Sequence, residues 1–121
     1  MSLATILASA LIVQAPVPAE GVEVAYRETV EGRSDAAIRK ITAADEREIG
    51  HPARLINLGI AHARLGEEEK ARQLFREAAS NSERYWLETA DGRWTDAREI
   101  ARVALAKLDR GELAATQLAS R

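Results

Sequence analysis

The sequence predicts an all-α (mainly) fold: two helix-turn-helix hairpins, a short β-hairpin-like insertion and a C-terminal capping helix. Three observations carry that expectation. Shifting residues 52–85 back by 34 positions lays Gly66 on Gly32, Ala71 on Ala37, Phe75 on Ile41 and Ala78 on Ala44, so one helical unit is written twice. Glycines follow apolar-periodic runs where a left-handed residue closes a helix, and Pro52 stands where a helix would begin. Apolar residues then recur at helical spacing in the last third of the chain.

Each element has its own warrant. Helices are expected at 20–31, 35–47, 52–65 and 68–80, forming repeats over about 18–51 and 52–85. Gly32 and Gly66 end the first and third, and Pro52 suits a first turn because its missing N–H has no intrahelical partner. Glu67, Glu68 and Glu69 open the fourth, where negative charge complements the macrodipole. The 34-residue register then fails, since Leu105 and Asp109 fall where Ala and Phe are expected. Instead Asp91-Gly92, flanked by Tyr85, Trp86 and Trp94, reads as a hairpin turn over 85–94. Asp96 with Glu99 resembles a capping box, and Ala97, Ile100, Ala101, Ala104, Leu105 and Leu108 make one face of a helix over 96–110. Gly111 stops it, and 112–121 reads as a frayed tail.

Residues 1–19 carry no charged side chain, whereas the chain beyond is densely charged. The apolar run Leu3 to Val13 has the length of a signal-peptide core and falls short of the roughly 20 residues of a membrane span. Small residues at Val17-Pro18-Ala19 offer a cleavage site, although no Lys or Arg precedes the run. Export to a bacterial periplasm is expected on this pattern, and a cytoplasmic location if the segment is not cleaved; the alternatives are a first helix packed on the repeat and an uncleaved membrane anchor. The helical domain then spans 20–111.

Composition narrows the chemistry. A net charge of -2 with both signs interspersed gives no footprint for nucleic acid, and no Cys is present for thiolate or Cys-zinc sites. His51 and His62 are the two histidines; on one helix they would stand about 16 Å apart, too far to share a metal ion. His51, before Pro52, reads as a helix cap. The serines fall at loops and helix ends, none in a Gly-x-Ser-x-Gly elbow, and the glycines are dispersed rather than gathered in a phosphate loop. No catalytic residue, metal site or cofactor is expected.

The segment Leu55–Ala78 resembles a tetratricopeptide repeat. Leu58-Gly59, Ala71, Phe75 and Ala78 match its signature, with Leu55 and His62 in place of the usual Trp and Tyr. The resemblance covers about half the chain and implies a small exported, non-catalytic module that holds a protein or peptide partner. It implies that the first helix of each hairpin lines a concave face, here carrying Tyr26, Ile56, Asn57, Ile60 and Arg64. Arg64 would pair with a carboxylate and Asn57 would hydrogen-bond a peptide backbone. That face is largely apolar, which fits a hydrophobic ligand or burial under the protein's own terminal helix. Trp86 and Trp94 form a second patch, either a binding hot spot or a staple between hairpin and last helix. The alternative function is self-association, a homodimer joined through the repeat face.

Overall fold

The computed structural model describes residues 11–13, 24–44 and 49–114. Among these residues the chain is mainly helical: α1 (Tyr26–Val30), α2 (Ser34–Thr42), α3 (Pro52–Arg64), α4 (Glu68–Ala79) and α5 (Ala97–Asp109). One two-stranded antiparallel sheet, β1 (Trp86–Glu88) with β2 (Trp94–Asp96), stands between α4 and α5.

Glycine ends three of the helices by the same construction. Gly66, at φ 81°, donates its N–H to the Ala63 carbonyl at 3.0 Å, and Glu67 donates to His62 at 3.0 Å, so the last carbonyls of α3 are satisfied as the chain turns into α4. Gly32 and Gly111 close α1 and α5 with matching pairs of bonds. At the other end of α3, His51 Nδ1 accepts from the Ala53 N–H at 3.2 Å, and its ring meets Tyr85 edge-on at 4.9 Å. His51 therefore caps α3, as its place before Pro52 predicts. Asp96 caps α5 by accepting from the Arg98 N–H at 2.9 Å. Glu99 does not return the bond of a capping box and faces Arg102 at 3.7 Å instead.

The first helix is much shorter than expected. Ala25 adopts a left-handed conformation at φ 48°, which a continuing α-helix forbids, so α1 begins only at Tyr26. Helix α2 ends at Thr42 rather than reaching 47, and residues 45–48 lie outside the described residues. The expectations for residues 1–10, 14–23 and 115–121, including the cleavage site before Glu20, lie outside them as well.

α3 is the axis of the core. Every one of its residues except Leu58 is buried, whereas α2, α4 and α5 each bury a single face. Ala37 and Ile41 of α2 pack with Ala61, while Leu55, Ile56, Ile60 and Ala63 join Phe75 of α4 and Ile100, Ala104 and Leu108 of α5. Helix α3 meets α4 closely at Gly59. A Cβ there would stand 2.5 Å from Cε1 of Phe75, so glycine at this position is what allows backbone-on-ring packing.

Two segments read as peripheral belong to this core. Leu11, Ile12 and Val13, from the stretch taken for a leader, are buried within it. Were the chain cut after Ala19, those three places would be empty. Leu113 is also buried, so the expected fraying does not begin at Glu112. Leu113 packs into the core cluster, and Glu112 accepts from Arg110 at 2.7 Å.

Gly59→Ala is expected to lower the unfolding free energy by about 1–3 kcal/mol through overpacking against Phe75. Gly66→Ala is expected to cost about 1–2 kcal/mol from its left-handed backbone. Urea titrations of the two variants check both, with the midpoint moving and the slope unchanged.

Candidate functional site

The residues expected to line a concave binding face do come together, but as interior. Ile56, Asn57 and Ile60 have no exposed surface, and Arg64 is buried as well. Tyr26 is partly buried against the same cluster. The expectation of an open face at Tyr26, Ile56, Asn57, Ile60 and Arg64 is thereby corrected: an apolar stripe on α3 is covered by other parts of this chain.

What covers it is the segment Leu11–Val13 as well as the terminal helix. Asn57 is placed on α3 with its carboxamide turned toward Leu11–Val13, and it reads one peptide residue in both directions. The Val13 N–H donates to Oδ1 at 2.9 Å, and Nδ2 donates to the Val13 carbonyl at 2.8 Å. The second Nδ2 proton goes to the Val24 carbonyl at 2.9 Å. Val13 also forms an antiparallel bridge with Thr89, just beyond β1. Asn57 thus does hydrogen-bond a peptide backbone, and the peptide is the protein's own.

The arginines of α3 are likewise committed inward. Arg54 Nη2 donates to the Ile41 carbonyl at 2.7 Å, at the C-terminal end of α2, and Arg64 Nη1 donates to the Thr29 carbonyl in α1. A cation at a helix C-terminus meets both the free carbonyls and the negative end of the dipole. Burial pulls the Arg64 guanidinium below its ordinary pKa, the direction expected for a charge removed from water. Arg54 has no distinguishing place in the repeat signature, so its role is legible only once α2 and α3 are packed.

His62 is buried with Nδ1 3.2 Å from Glu67 Oε1 across the α3–α4 turn. Beside that turn, a recess of about 410 Å³ is lined by Arg33, Ser34, Asp35, Arg39 and Arg64. Two of its cations have partners, Arg64 with the Thr29 carbonyl and Arg33 with Glu31 at 2.6 Å.

The outer surface of the β-hairpin is different. Trp86 pairs with Asp96, Leu87 with Thr95, and Glu88 with Trp94. Because side chains alternate along a strand, Trp86, Glu88, Trp94 and Asp96 share one face and Leu87 lies on the other. Leu87 is buried in the core, whereas Trp86 is 55% and Trp94 53% exposed. The staple reading of these indoles is therefore corrected, since it is Leu87 that fastens the hairpin. The turn is held by Thr89 N–H to Arg93 carbonyl and Gly92 N–H to Thr89 carbonyl, both at 2.8 Å, and by Thr89 Oγ1 donating to Asp91. Asp96 draws Arg98 to 3.0 Å and Arg84 to 3.4 Å, placing charge beside the tryptophans.

The chain matches no family model, no curated protein and no solved structure.

Asn57→Ala is expected to destabilise the fold by on the order of 3 kcal/mol, since it leaves three backbone groups without their partner. Thermal denaturation followed by circular dichroism measures this. Several carboxylates are also held below their usual pKa: Asp96 by the Arg98 side chain, Asp91 by the Thr89 hydroxyl, and Glu28 by its own backbone N–H and by Lys40. Their contribution is present above the unfolded-state carboxylate values, near pH 4, and is lost as pH falls through the lower folded-state values. Stability measured against pH is therefore expected to decline only below about pH 4 on account of these groups.

Proposed function

We propose that this chain is a non-catalytic interaction module of tetratricopeptide type that engages a protein partner through the outer face of its β-hairpin. The repeat assignment is supported by the motif residues Leu58-Gly59, Ala71 and Phe75, with Gly59 against the Phe75 ring and Gly66 turning α3 into α4. The observation that carries the contact surface is the pair Trp86 and Trp94, both more than half exposed on one side of a two-stranded sheet.

Single exposed apolar residues are ordinary on protein surfaces, but these indoles are diagonal neighbours on adjacent strands. Each still exposes about half of the roughly 150–250 Å² that an aromatic side chain can bury, with an N–H to place at the edge of a contact. Around them stand Glu88, Asp96, Arg84 and Arg98, an aromatic centre with a charged margin. Binding hot spots have this anatomy, and they favour Trp and Arg. The sheet is rigidly seated, because Leu87 enters the core and the Ala97 N–H donates to the Tyr85 carbonyl at 2.8 Å. Little ordering entropy is then lost when the face meets a partner. The non-catalytic reading is supported by the employment of His51 as a cap and of His62 beside Glu67.

The double variant Trp86→Ala, Trp94→Ala tests the reading. Its melting temperature is expected to stay near that of the parent, since both side chains already face solvent. Partners captured by the parent from the native extract, and quantified by mass spectrometry, are expected to fall at least tenfold with the variant. Retention of the same partners at the same level overturns the assignment of this face.

A further inference from the structure

Any partner that covers the two tryptophans covers a carboxylate with them. In the register of the hairpin Trp86 stands opposite Asp96, and Glu88 opposite Trp94. The outer face is therefore a checkerboard, with the indoles on one diagonal and the carboxylates on the other. The two carboxylates differ in their surroundings. Asp96 holds Arg98 at 3.0 Å and Arg84 at 3.4 Å. Glu88 is partly buried between Trp94 across the ladder and Trp86 along its own strand, and among the described residues no cation pairs with it. Arg93, the other arginine of the hairpin, lines a recess with Leu11 and Thr95 on the opposite side of the sheet.

Taking the hairpin face as the contact surface, we propose that the partner presents an arginine to it, the guanidinium entering between Trp86 and Trp94 and meeting the Glu88 carboxylate. A contact that buries the indoles takes Glu88 out of water as well, and a carboxylate left there without a counter-charge is costly. The counter-charge has to come from the partner, because Arg84 and Arg98 are held by Asp96 and Arg93 stands on the other side. Those same two arginines repel a further cation from the Asp96 corner, which leaves Glu88 as its seat. The spacing favours a planar cation. Diagonal neighbours on adjacent strands stand about 7–8 Å apart, close to twice the roughly 3.5 Å at which stacked atoms meet. A guanidinium is flat, stacks on aromatic faces and offers a fork of N–H donors that matches a carboxylate, whereas the ammonium of lysine is a compact point charge.

Trp86 and Trp94 are the two tryptophans of the chain, so indole fluorescence reads this face alone. The full chain is titrated with an acetylated and amidated Gly-Gly-Arg-Gly-Gly peptide, and with the same peptide carrying citrulline or lysine in place of arginine, all at matched ionic strength. A saturable change in emission is expected with arginine. The midpoint is expected to lie at least about fivefold higher with citrulline, which is planar but uncharged, and with lysine, which is charged but not planar. Glu88→Gln is expected to raise the arginine midpoint by about the same factor while the melting temperature stays near that of the parent. No saturable change with arginine overturns the proposal, and so does a midpoint for citrulline or lysine equal to that for arginine. Those comparisons use the parent chain and do not depend on the variant folding. Emission that shifts with protein concentration alone, in the absence of peptide, assigns the face to a second copy and also overturns the proposal. Failure here is distinguishable from failure of the contact surface. Partners lost with Trp86→Ala, Trp94→Ala, but an arginine peptide no better than its citrulline counterpart, would leave the surface standing and remove the arginine.

Discussion

The carboxamide of Asn57 sits where no solvent reaches it, on a helix enclosed on nearly every side. A buried amide has one acceptor and two donors to satisfy, and leaving them unpaired costs more than the bonds return. Here all three demands are met by main chain, two at Val13 and one at Val24. This requirement brings a strand and the approach to α1 onto the same side of α3. The bridge from Val13 to Thr89 then ties the β-hairpin region into the arrangement. The depth of α3 goes with partners for its polar side chains: backbone carbonyls and an N–H for Arg54, Asn57 and Arg64, and Glu67 for His62.

The same economy runs along α3. Arg54 and Arg64 donate to carbonyls at the C-terminal ends of α2 and α1 respectively, adding a charged partner to helix ends that backbone N–H groups already close. His62 lies at the far turn beside Glu67. The α3 residues expected to line a ligand-binding face are the ones that fill and satisfy the interior. The hairpin differs: its alternation sends Leu87 inward and leaves the two tryptophans more than half exposed.

Much of the architecture was legible in the sequence because it rests on local rules. The bounds of α3 and α4, the caps at His51 and Asp96, and the turn at Asp91-Gly92 follow from proline, glycine and short-range polar contacts. The buried face of α5 follows from periodicity. The tight contact behind Leu58-Gly59 shows why that pair belongs to a packing motif. The candidate site was less legible. Ile56 and Ile60 present the same pattern whether a foreign peptide or the protein's own chain covers them. The uncharged run through Leu11–Val13 satisfies the composition of a leader and of a core strand alike. Trp86 and Trp94 were recognised as a pair, but the direction they face depends on which side of a three-residue strand is buried.

The sequence by itself therefore determined the helical class, the position of most helix ends and the presence of a hairpin, because each depends on residues within a turn or two of one another. Only the tertiary structure decided that Asn57 holds Val13, that Arg54 and Arg64 donate to the ends of neighbouring helices, and that the tryptophans look outward. Those outcomes join residues as many as 44 positions apart, as Val13 and Asn57 are. No local preference distinguishes among the partners a buried polar group can find. The choice is made when the chain packs, by the cost of leaving any such group without one.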